Sequence, residues 1–254
     1  MKTALEKCEL NDLANISDML DSYLSFTDDR KRKGLLACAV EDTDARQSLI
    51  DLMDQQIRYY GSSDVAYVTR RIFGDDPGVS SDEIARDVIK KMKLNVKMGG
   101  CLEAKLQRVA SAMVERELAS KSPQELVKAF RGMGIGEIKL DLIKEHLKKN
   151  GKVAVLPVVM RVLGPEITLG IIETIIVSMI AQIIGREAAK QLIKELLKRN
   201  PWINTLGPIA WALSAVWVAC DLQGPAFRKT VPIALYLGVV ALRGESISTL
   251  RAAA

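Results

Sequence analysis

The chain has one histidine, His146, and four cysteines so far apart (Cys8, Cys38, Cys101, Cys220) that no C-x-x-C pair exists. Zinc sites draw on several His and Cys ligands at short spacings, so no metal centre is expected. Scattered thiols without a pairing pattern read as reduced, mostly buried cysteines of a cytoplasmic protein. Aromatic residues make up only 5% of the sequence, which suits packed helices and argues against the stacking platforms of single-strand nucleic-acid binders. The segment Met1–Leu10 lacks a continuous apolar stretch, so no secretory signal is expected. There is no G-x-S-x-G and no Walker A motif, and Gly132-Met-Gly-Ile-Gly136 has neither a preceding strand nor a Lys-Ser/Thr ending. The pairs Asp28-Asp29 and Asp75-Asp76 lie in turn-like sequence, where carboxylates cap helices. His146 sits among lysines, as a surface residue would. The expectation is a non-enzymatic protein without catalytic residues, cofactor or metal.

Charge is missing only in places. Between Ile167 and Gly185 the sole charge is Glu173, and between Trp202 and Cys220 there is none. Val231–Leu242 is a third uncharged run. Elsewhere charges are dense: residues 1–100 hold 15 basic against 18 acidic groups, and residues 101–200 hold 17 against 11. A mildly acidic front therefore precedes a basic middle, without a polybasic tail.

Nearly every segment reads as helix. Leu10, Leu13, Ile16, Met19, Leu20 and Leu24 recur at helical spacing over 9–25, and Leu49, Leu52, Met53, Ile57 and Tyr60 do so over 43–60. Asp28-Asp-Arg-Lys-Arg-Lys33 is a charged loop or helix start, and 65–73 is a short helix after Gly61. Ser80-x-x-Glu83 and Ser122-x-x-Glu125 have the spacing of capping boxes, in which hydroxyl and carboxylate satisfy free amides at a helix start. Further helices are expected over 101–118, from Pro123 to the Gly132 region, and around Ile138, Leu140, Ile143 and Leu147. The last pair faintly resembles small helix-extension-helix modules that bind nucleic acid, with Lys144, Lys148, Lys149 and Lys152 nearby. A solvated helix face and a favourable helix C-terminus explain those lysines better, and nucleic acid is the weakest partner expected.

The run 167–185 is long enough to approach a bilayer span, and Thr168, Glu173, Ser178 and Gln182 do not share one stripe. Such a helix is central in a bundle or in lipid. Residues 186–199 form an amphipathic helix, with Leu192, Ile193, Leu196 and Leu197 opposite Lys190, Lys194 and Lys198. In the following run, Ala210-x-x-x-Ser214 and Ala215-x-x-x-Ala219 allow close helix approach, and Trp202 is placed as an interfacial anchor while Trp211 falls inside. Three readings stay open: interior helices of a soluble bundle, a colicin-like hairpin buried until triggered, or membrane insertion or attachment. Glu173 opposes plain insertion by about 2.5–3.5 kcal/mol. The basic flanks favour anionic lipid at about 1 kcal/mol per basic group.

Leu206-Gly-Pro-Ile-Ala-Trp-Ala-Leu213 and Asp221-Leu-Gln-Gly-Pro-Ala-Phe-Arg-Lys-Thr-Val-Pro-Ile233 are the most idiosyncratic stretches. Asp221 and Arg228 flank Gly224-Pro225 and are spaced to pair across the turn, with Phe227 beside them. These stretches resemble the C-terminal signature of the YaaW-like family of uncharacterised bacterial proteins, sometimes grouped loosely with ubiquinol–cytochrome c chaperones. Glu6–Leu13, Gln56–Gly61, Ile84–Asn95 and Ser122–Gly134 resemble its earlier helices in the same order. Lys229 departs from the pattern, since an apolar residue is usual there, and 167–185 is unusually rich in Ile. The resemblance implies a helical assembly factor holding an apolar client.

The expectation is therefore all-α: a charged amphipathic helical domain over 1–150 and an apolar unit over 151–254 that carries the signature. It would act through a protein partner or the inner face of the membrane. The candidate contact residues are Lys190, Lys194, Lys198, Trp202, Trp211, Asp221, Phe227 and Arg228. The alternative is a soluble interaction domain whose apolar helices are core.

Overall fold

The computed structural model describes residues 1–21, 28–61, 78–132, 134–150, 155–185, 187–201 and 225–253. Among them are twelve helices and no strand. They are α1 (Lys2–Glu6), α2 (Leu10–Leu20), α3 (Asp29–Cys38), α4 (Thr43–Tyr60), α5 (Ser81–Lys91) and α6 (Leu102–Ser120). Then come α7 (Pro123–Gly132), α8 (Glu137–Asn150), α9 (Val155–Leu163), α10 (Pro165–Ile184), α11 (Lys190–Arg199) and α12 (Pro225–Ala253). The protein is an all-α multi-helix bundle, as its periodicity implies. The expected helix over 65–73 and the run 202–220 lie outside the described residues.

Local rules place many boundaries. Ser80 Oγ accepts from the Glu83 amide at 3.2 Å while the Glu83 carboxylate accepts from the Ser80 amide at 3.0 Å. Ser122 and Glu125 repeat this reciprocal cap at 3.2 and 2.7 Å. The free amides at the start of α9 find a distant partner instead. Val155 and Leu156 donate to the two oxygens of Glu115 on α6, at 2.6 and 2.7 Å. That arrangement satisfies two unpaired donors and puts a negative charge at a helix N-terminus, where the dipole favours it. Gly164, at φ +85°, turns the chain from α9 into α10, with Pro165 in the first position, where its missing amide costs nothing.

α12 is the central element, packed chiefly on α6 and α10 and also on α2, α4 and α5. Val231 and Ile233 through Leu237 are buried on every side of it, which explains an uncharged run without amphipathic spacing. Each such aliphatic side chain contributes about 1.5–3 kcal/mol by leaving water. α6 instead buries one face: Leu106, Val109, Ala110, Met113, Val114 and Leu118. The crossing of α6 and α12 is close because position 238 is glycine. A Cβ there would run into the Leu106 carbonyl oxygen and lie 2.9 Å from Ala110 Cβ.

α10 is the one helix among the described residues with the length and composition to cross a membrane, at mean hydropathy 2.1. It is mostly buried inside the bundle, against α12, α6 and α9. Its hydroxyls turn inward to their own backbone: Thr168 donates to the Gly164 carbonyl, Thr174 to Gly170 and Ser178 to Thr174, at 2.7–2.8 Å. Buried side chains from residues 1–147 and 155–240 belong to one hydrophobic cluster.

Candidate functional site

α11 carries the surface half of the expected contact set. Lys190, Lys194 and Lys198 recur every four residues and all face solvent, while Leu192 and Leu196 are buried beneath them. Lys190 pairs with Glu187 at 2.5 Å, both exposed. Lys194 and Lys198 have no ion-pair partner among the described residues. Arg228 is exposed, and Phe227 is half-buried with the Lys91 ammonium 4.8 Å from its ring centre. Trp202, Trp211 and Asp221 lie outside the described residues, as does the expected Asp221–Arg228 pair. On α8, Lys148 and Lys149 are exposed, with Lys149 tied to Glu145 at 2.7 Å. His146 is half-buried rather than fully on the surface, because it lies next to Leu147 on the packed side of α8.

Beneath α11 lies a polar network absent from the sequence expectations. Asp12, on the first turn of α2, is 1% exposed. Its carboxylate accepts from Tyr236 Oη at 2.8 Å, Arg243 Nη2 at 2.8 Å and Arg199 Nη2 at 3.1 Å. Its other oxygen takes the Glu9 amide at 3.0 Å. Asn15 donates to the Tyr236 hydroxyl at 2.9 Å. Arg243 Nε lies 3.2 Å from Glu173, and Asn200 donates to the second Glu173 oxygen at 2.7 Å. The one charge in the apolar run of α10 is thus neutralised inside the protein, as a buried carboxylate requires.

The electrostatics follow from burial and pairing. Burial alone would raise the Asp12 carboxyl, but Arg243, Tyr236 and Arg199 outweigh it and hold it below the usual range. Burial, reinforced by Asp12, pushes the Tyr236 phenol above its usual range. At neutral pH one group is fixed as the anion and the other as the neutral donor, so neither is poised to exchange a proton. Burial, with Asp12 nearby, also pushes the Cys8 thiol up to about 12, which leaves it un-ionised and inert. Cys38 and Cys101 are exposed, contrary to the expectation of mostly buried thiols, because both stand at helix ends rather than on a packed face. A shallow cleft opens beside the network, with an enclosed volume of about 10 Å³, room for at most about one water molecule. Among the described residues no group of three His, Cys, Asp or Glu could hold a metal.

A second buried polar network, around Arg32, ties the N-terminal helices together. Arg32 is fully buried and donates to Ser17 Oγ, the Ser17 carbonyl, Asp29, Gln56 and Asp21, at 2.5–3.1 Å. Beside it Lys229 Nζ donates to the Leu20 and Asp21 carbonyls, each at 2.6 Å, and lies 4.5 Å from the Tyr60 ring centre. The Lys229 cation therefore caps the C-terminal end of α2 from another helix.

No family model matches the chain, and no solved structure matches it. The chain is similar to a UPF0174 protein of Helicobacter pylori strain J99, 24% identical over 191 residues that make up 75% of the chain and 70% of the relative. A UPF0174 protein of strain 26695 is likewise 24% identical over 196 residues, 74% of the chain and 86% of the relative. These similarities connect the chain distantly to uncharacterised bacterial proteins and do not reach as far as the YaaW-like assignment.

Proposed function

We propose that this is a non-enzymatic helical protein that attaches reversibly to an anionic membrane surface from the cytoplasmic side. Lys190, Lys194 and Lys198 make the electrostatic contact, and the uncharged run Trp202–Cys220 that follows in sequence supplies apolar contact. The observation that carries the reading is the exposure of all three lysines on one face of α11, directly before that run. Each basic group near an anionic surface contributes about 1 kcal/mol. The burial of α10, with Glu173 paired internally, supports attachment over spanning by that helix. The reading extends to the YaaW-like assignment, and the apolar client implied by the chaperone grouping would engage the same run.

Flotation with phosphatidylcholine vesicles, with and without phosphatidylglycerol, tests it. The expected result is binding to the anionic vesicles at low salt, lost on adding salt and in the K190E/K194E/K198E variant. Wild-type protein that ignores anionic vesicles at low salt removes the reading.

A second reading, a soluble protein-interaction domain, is favoured by one observation. Ile138 and Leu142 lie one turn apart on α8 and are 81% and 51% exposed. An apolar pair left in water on a charged helix is what a protein partner would cover.

A further inference from the structure

We propose that Arg199 and Asn200 form a releasable latch that holds α11 against the bundle and restrains its membrane contact. This rests on the membrane reading above. The network is asymmetric. Arg243, from the central α12, reaches both buried carboxylates, Asp12 at 2.8 Å and Glu173 at 3.2 Å. When Arg199 leaves, Asp12 keeps Arg243, Tyr236 and the Glu9 amide. When Asn200 leaves, Glu173 loses its hydrogen bond and keeps the charge of Arg243, whose Nε lies 3.2 Å away without hydrogen-bonding it. The end of α11 can therefore detach while each buried carboxylate still has a cation beside it, so no unpaired charge is left in the core, which is the usual obstacle to opening a buried ion pair.

The departing groups are also provided for. The Arg199 side chain is already 24% exposed, and its outer partner Glu9 is 74% exposed, so both hydrate readily. Asn200 retains a hydrogen bond to the Leu196 carbonyl of its own helix. The apolar side of the contact is small. α11 touches chiefly α10 and α2; of its aliphatic residues Leu192 and Leu196 are buried, while Ile193 and Leu197 are half-buried at its edges. The cleft lies at this contact, where Leu192, Leu196 and Arg199 face Glu173, Tyr236 and Arg243. Elements with few buried contacts are the first to open locally.

An anionic lipid headgroup supplies the opening force. Arginine binds phosphate in the same forked geometry it uses for carboxylate, so a phosphate approaching the lysine face competes with Asp12 and Glu9 for Arg199. Binding and unlatching are then coupled through one side chain.

Hydrogen–deuterium exchange on the full chain, with wild type, R199Q and N200A, tests the latch, and thermal melts confirm that each variant folds. Amides of 193–200 should exchange about tenfold faster in either variant, as expected for losing a hydrogen bond to a charged group, while those of 172–182 stay as in wild type. N200A retains every basic residue, so its half-saturation on phosphatidylglycerol vesicles should fall several-fold. Acceleration of α10 together with α11, or of neither, overturns the latch. Selective opening of α11 with unchanged vesicle affinity in N200A overturns its restraining role. Selective opening with no vesicle binding by any form, wild type included, removes the membrane reading and leaves the latch standing.

Discussion

Arg243 donates to Asp12 across 231 positions of sequence, at 2.8 Å, and places its Nε 3.2 Å from Glu173. One guanidinium on α12 thereby joins α2 to α10. Removing one partner of a buried pair costs more than the pair contributes, because a desolvated charge stays behind. R243Q should lose about 3–5 kcal/mol of stability by urea titration. A loss within about 0.5 kcal/mol, the range of an ordinary surface change, would show that Arg199 and Asn200 hold both carboxylates without it.

Asp12 also sets a pH dependence. Its carboxyl is held below the usual range in the folded protein, so its contribution is fully present above the unfolded value of about 4. That contribution is lost as the pH falls through the lower folded value. Melting temperatures of wild type and D12N, compared from neutral pH down to about pH 3, should show a gap that narrows below about pH 4. A gap constant across that window would mean that Asp12 titrates alike in both states.

Local order was legible in the sequence, and long-range polar order was not. Both Ser-x-x-Glu caps, the helix over 43–60 and the helix over 101–118 depend on residues a few positions apart, where spacing alone carries the geometry. Asp12 looks like any solvated carboxylate in a first turn, and only its meeting with α11 and α12 buries it. Arg32 is one of four adjacent cations, Arg30 to Lys33, with nothing in composition to single it out. One signal was available for the network. Glu173 stands alone in an apolar run and needs a buried cation, and Arg243 is the first charge after the uncharged run that contains Tyr236.

Gly238 tests the helix crossing. The Cβ of an alanine would meet the Leu106 carbonyl oxygen, a backbone atom within a hydrogen-bonded helix, and the packed Ala110 side chain. Neither is the far end of a flexible side chain, so α6 and α12 must separate. G238A should therefore destabilise by about 1–3 kcal/mol, although alanine is the better helix former. A stabilised variant would mean that the helices pass farther apart than described.

Lys229 supplies a pH dependence of the opposite kind. Burial is the main cause that lowers its ammonium from 10.5 to about 8, opposed by Asp29 and Asp21 and aided by Arg32. Below pH 8 both folded and unfolded chains hold the proton, and the folded state bears the full penalty of a partly desolvated cation. Between about 8 and 10.5 the unfolded chain binds a proton that the folded chain has released, so stability rises with pH in that window. The neutral amine still has hydrogens for the Leu20 and Asp21 carbonyls, so the α2 cap survives the change. Other lysines and tyrosines titrate in the same range, and the informative quantity is the stability of wild type minus that of K229M. That difference should move in favour of wild type as the pH is raised from 8 to 10.5. A flat difference would mean that the Lys229 ammonium is as well solvated in the folded protein as in the unfolded chain.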